Sequence, residues 1–498
     1  MDDRKKPELL VPAAGLEVLK TAVIFGADAV YIGGEAFGLR AKAKNFTMEE
    51  MAEGISFAHA RGVKVYVTAN ILAHNEDLEG AERYFGELRD MRPDPCDALI
   101  ISDPGLFTIA KTVWPEAEIH ISTQANNTNY QTWLFWWRLG AKRVVSAREL
   151  SLEEIHVIRE HIPEEMEIES FVQGSMCISY SGRCLLSNYF TGRDANRGSC
   201  THPCRWKYAV VEETRPGEYL PVYENERGTY IFNSKDLCMI EHIPELVAAG
   251  IDSFKIEGRM KTALYVAAVT RTYRRAIDDY SESPEKYAAG LAWYREEISK
   301  CTHRHFSTGF YFGKPTEESQ IYDNSTYVNE YTYLGMIEET AKEPWPWQNE
   351  EGRGMVTESG RETVRTESGH ETGEVDLNES IRGNKASLKY DEKKNRYKPN
   401  TKYGHTYSAE SRKIPGMLAR FEQRNKFTVG ESIEIMKPDG RNVAVTVEAL
   451  YTEEGEAVES CPHARQVLWV RLSENAECGD LLRRREAKDE SEGRTVSV

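Results

Sequence analysis

Residues 98–101 read Ala98-Leu99-Ile100-Ile101, which is a short apolar run. A polar turn follows this run, and a longer stretch with helical spacing follows the turn. The same unit recurs through the first half of the chain, and such alternation predicts parallel βα units. Most of these runs are apolar, as expected when both faces of a strand are buried. The recurrence of this unit predicts eight strands, at residues 9–11, 29–32, 63–67, 98–101, 118–121, 143–145, 168–172 and 253–256.

The number of predicted strands decides between two α/β folds. Eight parallel strands within roughly 250 residues is the size of a TIM barrel. The alternative, a doubly wound open sheet, usually carries a G-x-G-x-x-G turn after its first strand. Pro12-Ala13-Ala14-Gly15 does not fit that turn. The sequence therefore predicts a TIM-like (β/α)8 barrel.

Composition changes along the chain predict further parts. We expect the barrel and a cysteine cluster within residues 1–285, and a helical linker with a first strand of the next domain within residues 286–342. Residues 263–300 contain few turn residues and predict a continuous helical stretch. Residues 343–413 are dominated by polar and charged residues and contain a near-repeat, which predicts a disordered insertion. Alternating runs predict a small β-barrel at residues 414–487, before a flexible tail at residues 488–498.

The overall composition excludes several classes of protein. The 498 residues include 40% hydrophobic residues, enough for a substantial core, so disorder of the whole chain is excluded. No window approaches the roughly 18 apolar residues of a membrane span, and the first residues do not resemble a secretory signal. We therefore expect a cytoplasmic protein that has no membrane partner. The net charge of -17 means that binding to nucleic acid would need a local basic patch.

Polar residues follow the predicted strands, where a TIM barrel places its chemistry. Asp103 follows the fourth strand, Gln124 the fifth, Arg148 the sixth and Glu257 the eighth. We predict that these four side chains position a substrate base or a metabolite. The alternative is that they are ordinary loop residues or helix caps. The sequence around Ser151 is typical of such a cap.

The cysteines are concentrated in one region. Five of the nine are Cys177, Cys184, Cys200, Cys204 and Cys238. Thiolates hold zinc or iron–sulfur clusters, and a reducing compartment opposes disulfides, so this concentration predicts a metal site. Structural zinc sites usually carry two closely spaced cysteine pairs, and here only Cys200 and Cys204 are that close. Convergence of cysteines from separate loops suits a cubane cluster better, although spacing alone leaves both metals open.

The region around the first two of these cysteines matches a long pattern, E-x-F-x-x-G-[SA]-x-C-x(4)-G-x-C-x-L-S. The matching residues are Glu169, Phe171, Gly174, Ser175, Cys177, Gly182, Cys184, Leu186 and Ser187. This pattern resembles the signature of the collagenase-like peptidase family U-32. The resemblance extends over the barrel and into the small C-terminal domain. Within the family, the chain is most similar to the branch of bacterial proteins that hydroxylate tRNA.

The resemblance implies specific chemistry. It implies 5-hydroxyuridine formation at the wobble position of tRNA without molecular oxygen, and prephenate, a small dicarboxylate, as a required metabolite. It also implies a 4Fe-4S cluster with Cys177, Cys184, Cys200 and Cys238 as ligands. Cys204 departs from the family pattern, as a fifth thiol that could replace one ligand or lie beside the cluster. The insertion at residues 343–413 departs from it as well.

Basic residues around the cysteines offer the local patch that a tRNA substrate requires. We predict that Arg183, Arg193, Arg197 and Arg205 contact nucleic acid, with Tyr180, Tyr189, Phe190 and Trp206 as stacking platforms or, alternatively, as core aromatics. Proteolysis is the second hypothesis, but the chain has neither an H-E-x-x-H nor a G-x-S-x-G motif. A non-catalytic partner in a homo- or hetero-oligomer is the third.

Overall fold

The structure is a computed structural model that describes residues 6–38, 45–177, 179–206, 234–314, 328–342 and 417–486. It also describes the backbone of four two-residue strands outside these ranges. Most of the predicted disordered insertion at residues 343–413 lies outside the described residues, as does the predicted tail at residues 488–498, so both stay predictions. Among the helices in the described ranges, none combines the length and apolar content that a membrane crossing requires.

Helices and strands alternate through the first half of the chain. The helices are α1 (Leu16–Ile24), α2 (Met48–His59), α3 (Asn75–Leu78), α4 (Ala81–Arg89), α5 (Pro104–Val113), α6 (Tyr130–Arg138), α7 (Leu152–His161), α8 (Leu186–Thr191), α9 (Ile243–Ala248), α10 (Ala263–Glu282) and α11 (Pro284–Ser299). The strands up to residue 307 are β1 (Glu8–Pro12), β2 (Ala29–Gly33), β3 (Lys64–Ala69), β4 (Ala98–Ile101), β5 (Ile119–Ile121), β6 (Arg143–Val145), β7 (Glu167–Gly174), β8 (Ala209–Val210), β9 (Leu220–Pro221), β10 (Asp236–Cys238), β11 (Ser253–Ile256) and β12 (Phe306–Ser307).

Strands β1 to β7 pair side by side in chain order, and β11 pairs with both β7 and β1. All of these pairings are parallel, so the eight strands form a closed ring. The predicted TIM-like barrel is confirmed strand by strand, and the doubly wound sheet is excluded. Strand β10 adds an antiparallel extension to the end of β7, where Cys238 lies opposite Gln173.

Local sequence signals explain where helices begin and end. Ser151 and Glu154 form a capping box at the start of α7, as the sequence context of Ser151 allowed. The long helical stretch predicted from residue 263 to 300 is divided into α10 and α11. Pro284 has no N–H group and its ring would clash with the carbonyl of Tyr280, so α10 cannot continue through it. Ser283 instead caps α11.

The strands after residue 307 are β13 (Tyr331–Ala341), β14 (Tyr390–Asp391), β15 (Arg396–Tyr397), β16 (Leu418–Glu422), β17 (Ser432–Met436), β18 (Asn442–Tyr451), β19 (Ala457–Val458), β20 (Val467–Leu472) and β21 (Leu481–Arg485). Six of them form the predicted small barrel, an antiparallel ring in the order β17, β21, β13, β16, β20, β18. Strands β14 and β15 pair with each other in a separate sheet. By compactness, the chain divides into one unit of Met1–Met336, Ser432–Val445 and Gly479–Val498 and a second of Ile337–Glu431 and Thr446–Cys478.

A network of charged side chains crosses the interior of the TIM-like barrel. The Arg143 guanidinium lies 2.6 Å from Glu8, 2.5 Å from Glu167 and 3.0 Å from Glu169, measured between nitrogen and oxygen atoms. On the adjacent strands, Lys255 Nζ lies 2.6 Å from the other oxygen of Glu169. Barrel interiors are usually filled by layers of branched apolar side chains. Here paired charges occupy part of that space, and each buried charge has a partner of opposite sign.

The pairing outweighs the cost of burial for the carboxylates. Burial alone would raise the pKa of Glu8, but the Arg143 guanidinium and the Tyr66 hydroxyl lower it to about 2. Burial likewise opposes ionisation of Glu169, and Lys255 with Arg143 lowers its pKa below the ordinary value. The folded protein therefore holds these groups as carboxylates at neutral pH, and folding becomes coupled to their ionisation.

We predict that Glu8→Gln lowers the free energy of unfolding at pH 7 by about 3 kcal/mol, the value of a pKa depressed from 4.5 to about 2. Because the folded pKa is depressed, this contribution is present above pH 4.5 and is lost as the pH falls through about 2. Urea unfolding between pH 7 and pH 2 should give a shallower acid decline for the variant. Glu164→Gln, at an exposed carboxylate, is the control. An unchanged acid profile in Glu8→Gln would contradict the prediction.

Candidate functional site

A cavity of about 160 Å³ lies at the C-terminal ends of the barrel strands. Parallel strands of a closed barrel all end at one face, so residues that are distant in sequence meet there. Six strands contribute the last inward-facing side chains of the cavity wall, which are Tyr31, Thr68, Ile100, Val145, Phe171 and Lys255. The loop after β7 adds residues 175–177, 179–182 and 184 to the lining.

Three of the four predicted catalytic residues line this cavity. They are Gln124, Arg148 and Glu257. Asp103 is not among the lining residues, because its carboxylate caps α5 by accepting hydrogen bonds from the backbone N–H groups of Gly105 at 2.8 Å and Leu106 at 3.0 Å. The structure therefore gives Asp103 a role in the helix, and its catalytic role stays a prediction.

Arg148 is the most constrained polar side chain of the cavity. Its Nη1 donates to the carbonyl of Ser175 at 2.9 Å and its Nη2 donates to Glu257 Oε2 at 3.0 Å. The guanidinium carbon also lies 4.0 Å from the centre of the Phe171 ring. Burial opposes the charge of Arg148, but the Glu257 carboxylate raises its pKa, so it stays a cation. Arg148 thereby ties the loop after β7 to the end of β11.

Two further cations line the cavity. Lys255 Nζ, bound to Glu169, lies 4.5 Å from the centre of the Tyr31 ring. Arg259 donates to Thr68 Oγ1 at 2.9 Å and packs so closely on Gly33 that a Cβ there would lie 2.0 Å from its Nη2. Our sequence reasoning did not assign Lys255 to the site, because it lies within a strand. The sequence feature that could have identified Lys255 is a charged residue inside an otherwise apolar run.

Four of the five clustered cysteines line the same cavity. They are Cys177, Cys184, Cys200 and Cys204. Cys238 does not line it. Burial raises the pKa of the Cys238 thiol to about 12, although the nearby Tyr273 hydroxyl opposes this rise. Within the part of the chain that the structure describes, no three metal-binding side chains stand close enough together to hold an ion.

Glycines of the signature hold the cysteine loop against the barrel. Gly174 has φ +112°, and a Cβ there would lie 2.5 Å from the carbonyl oxygen of Glu257. Gly182 has φ +74°, and a Cβ there would lie 2.6 Å from Gln124 Oε1. Only glycine permits both the left-handed backbone and this close approach. Asn126 adds a hydrogen bond of 2.7 Å from its side-chain amide to the carbonyl of Ser181.

The predicted nucleic-acid contacts differ in what surrounds them. Arg183 is exposed and donates to Asn126 Oδ1 at 2.7 Å. Arg197 is paired with Glu76 at 2.9 Å and with Asp77 at 2.7 Å, which neutralises much of its charge. Arg193 is half-buried, and the side chain of Arg205 lies outside the described residues.

The predicted stacking platforms are at the surface. The exposed aromatic side chains of this region are Tyr180, Tyr189, Phe190 and Trp206, so they are not core residues. In α6, by contrast, Trp133 and Trp136 are buried, as expected for an aromatic helix that serves packing.

Comparison with known proteins identifies the family. Residues 14–321 match “Peptidase family U32”, and residues 405–483 match “Peptidase family U32 C-terminal domain”. The chain is 35% identical to tRNA hydroxylation protein P1 of Bacillus subtilis (strain 168) over 480 residues, which cover 96% of this chain and 95% of that protein. It is also 35% identical to tRNA hydroxylation protein P of Escherichia coli (strain K12), over 96% of both chains.

A more distant relative acts on another RNA. The chain is 38% identical over 271 residues to an Escherichia coli (strain K12) synthase of 5-hydroxycytidine in 23S rRNA, covering 54% of this chain and 39% of that protein. The shared region is thus part of a longer protein in that case. Because the family match covers more than half of the chain and two relatives match it almost end to end, the chain belongs to peptidase family U32.

Proposed function

We propose that this chain is an enzyme that hydroxylates tRNA, converting the wobble uridine to 5-hydroxyuridine without molecular oxygen. The names of relatives that hydroxylate tRNA and synthesise a hydroxylated nucleoside in rRNA support RNA hydroxylation. The wobble uridine follows from the family resemblance. The observation that carries the proposal is the barrel-mouth cavity, where four cysteines face Gln124, Arg148 and Glu257.

The cysteines support a redox cofactor in this cavity. Replacing the C5–H bond of uridine by C5–OH with an oxygen atom at the oxidation level of water releases two protons and two electrons, so the reaction needs an acceptor for both electrons. A 4Fe-4S cluster held here would pass these electrons one at a time to an external electron acceptor, and thiolates are its usual ligands. The thiols that line the cavity fit the chemistry of such a cluster.

Three thiols are supported as cluster ligands by two independent arguments. Cys177, Cys184 and Cys200 line the cavity and also belong to the ligand set that the family resemblance implies. Cys238 is the fourth ligand in the set that the resemblance implies, whereas Cys204 is the fourth thiol that lines the cavity. We propose Cys238, and the comparison of the two variants below decides between them.

The charges of the cavity support an anionic co-substrate. Arg148, Lys255 and Arg259 line it, with Glu257 paired to Arg148 and Glu169, which lies outside the lining, paired to Lys255. Guanidinium and ammonium groups bind carboxylates through charge-assisted hydrogen bonds. A dicarboxylate such as prephenate, which the family resemblance implies, therefore suits the cavity floor, while the base would approach from the side of the cysteine loop.

The proposal predicts the metal content of the protein after anaerobic purification. We expect about four iron and four sulfide per chain, with loss of both in Cys177→Ser, Cys184→Ser, Cys200→Ser and Cys238→Ser. Cys204→Ser should keep its iron, as should the exposed control Cys478→Ser. Iron loss in Cys204→Ser with retention in Cys238→Ser would make Cys204 the fourth ligand. Stoichiometric zinc in the wild type would contradict the cluster.

A second prediction concerns Arg148. Arg148→Lys keeps a positive charge but loses the paired hydrogen bonds to Ser175 and Glu257. We expect hydroxylation of a tRNA substrate by the iron-loaded variant to fall roughly 10- to 100-fold, because hydrogen bonds to charged groups contribute about 1.5–3 kcal/mol. Mass spectrometry of digested tRNA measures the 5-hydroxyuridine.

The control is Arg159→Lys, which changes an arginine paired with Asp252 and outside the cavity lining. It should keep full activity. Iron content should be the same in both variants and the wild type. Equal activity in Arg148→Lys and the wild type would exclude a role for Arg148 in the reaction.

Proteolysis is the second candidate function, because the description of the matching family names a peptidase. A cavity cysteine that ligates iron cannot also act as a nucleophile, so the two functions predict opposite results. Hydrolysis of gelatin by a metal-free preparation, abolished in one cysteine variant, would favour the peptidase. An iron-loaded protein that modifies tRNA only with an added partner chain would favour the assembly role.

A further inference from the structure

We propose that the outer face of the cysteine loop is a platform on which unpaired bases of single-stranded RNA stack, beside the entrance to the cavity. This loop platform consists of Tyr180, Tyr189, Phe190 and Trp206. The inference rests on the proposed RNA substrate, and it names the surface that receives the nucleotides next to the target base.

The exposure of these side chains is the first observation. Tyr189 is 82% exposed, Phe190 and Trp206 are each 47% exposed, and Tyr180 is 45% exposed. Three of them are in contact, with ring centres 5.2 Å apart for Tyr189 and Phe190 and 6.2 Å apart for Phe190 and Trp206. Adjacent exposed aromatic rings are unfavourable in water unless a partner covers them, so they mark a binding surface.

The local fold directs these rings outward. Helix α8 is held by a polar contact, because Ser187 is its buried residue and accepts a hydrogen bond from the backbone N–H of Thr201 at 3.1 Å. The aromatic residues of the same helix, Tyr189 and Phe190, lie on the solvent side. A helix that serves packing alone would bury its aromatic side chains and expose its serine. The reversed arrangement of α8 favours recognition over packing.

The loop platform is continuous with the cavity. A shallow groove is lined by Ser179, Arg183, Cys184, Leu185, Leu186 and Tyr189. Two of these residues, Ser179 and Cys184, also line the cavity, and so does Tyr180. An RNA strand that lies in the groove would therefore bring one of its bases to the cysteines.

Charge favours a nucleic acid as the occupant. Residues 175–206 contain four arginines and one aspartate, in a chain whose net charge is -17. Arg183 lines the groove, is exposed, and pairs with no carboxylate within the described ranges. A cationic groove beside aromatic rings is the arrangement by which proteins hold single-stranded nucleic acid, with phosphates on the cations and bases on the rings.

Binding of labelled RNA to the iron-loaded protein tests the platform. The probes are a fluorescent oligouridine and a blunt RNA duplex of the same length, measured by anisotropy. Tyr189→Ala and Trp206→Ala should each weaken oligouridine binding roughly 5- to 150-fold, the usual effect of losing one stacked base. Tyr189→Phe and Trp206→Phe keep an aromatic face and should bind within about 3-fold of the wild type.

Two further variants separate stacking from charge and from general surface effects. Phe135→Ala removes an aromatic side chain of similar exposure that lines neither the cavity nor the groove, and it should bind like the wild type. Arg183→Gln should reduce the slope of log K against log salt by about 0.7, the effect of one lost phosphate contact on a single strand. The alanine variants should leave that slope unchanged.

Several outcomes would overturn the inference. They are wild-type affinity in both alanine variants, equal affinity of the wild type for duplex and single strand, or loss of self-association instead of RNA binding in the alanine variants.

Measurement of 5-hydroxyuridine keeps the two proposals separable. Wild-type hydroxylation with unaffected RNA binding in the variants would reject the platform alone. Stacking-dependent binding by a wild-type protein that makes no 5-hydroxyuridine would reject the proposed function alone.

Discussion

The carboxylate of Glu169 holds two cations at once inside the barrel, and the cavity above depends on that arrangement. Its two oxygens contact Arg143 on one neighbouring strand and Lys255 on the other. A buried ammonium is strongly unfavourable without a counter-charge, so Lys255 can face the cavity only because Glu169 lies beneath it. An apolar residue at position 169 would remove the ion pair of Lys255, whereas Arg143 would keep its pairs with Glu8 and Glu167. The ion pairs of the barrel interior thus allow cations to line the bottom of the cavity, where the proposed chemistry would take place.

The fold was predictable because its signals are local and repeated. Each barrel strand is a short apolar run after a helical stretch, and eight such runs leave few alternatives to closure. The break between α10 and α11 was missed because their composition is continuously helical, and one proline decides it. That proline lies in the first turn of α11, where the backbone N–H has no partner within the helix, so its absence costs nothing. The helical composition of the stretch therefore did not indicate the break.

The candidate site was predictable only in part. The rule that chemistry follows the strands found Gln124, Arg148 and Glu257, which the barrel brings to one cavity. The same rule selected Asp103, whose carboxylate turns back onto its own helix. The proline that follows it, Pro104, is typical of a helix start and was the sequence signal for this cap. The rule overlooked Lys255, because a residue within a strand is expected to belong to the core. The sequence likewise did not decide between Cys204 and Cys238 as the fourth cluster ligand, because the spacing of cysteines does not determine which thiols meet in space.

The signature of the family combines two kinds of residue that the structure separates. Glu169 pairs charges in the barrel, Gly174 and Gly182 permit close contact with its upper rim, and Ser187 anchors α8. Other residues of the pattern line the space where a reaction would occur, namely Phe171, Ser175, Cys177, Gly182 and Cys184. Part of the motif therefore builds the support, and part of it faces the cavity. The supporting residues do not depend on what is modified, so substrate preference should be sought in the loop residues that lie between the positions of the motif.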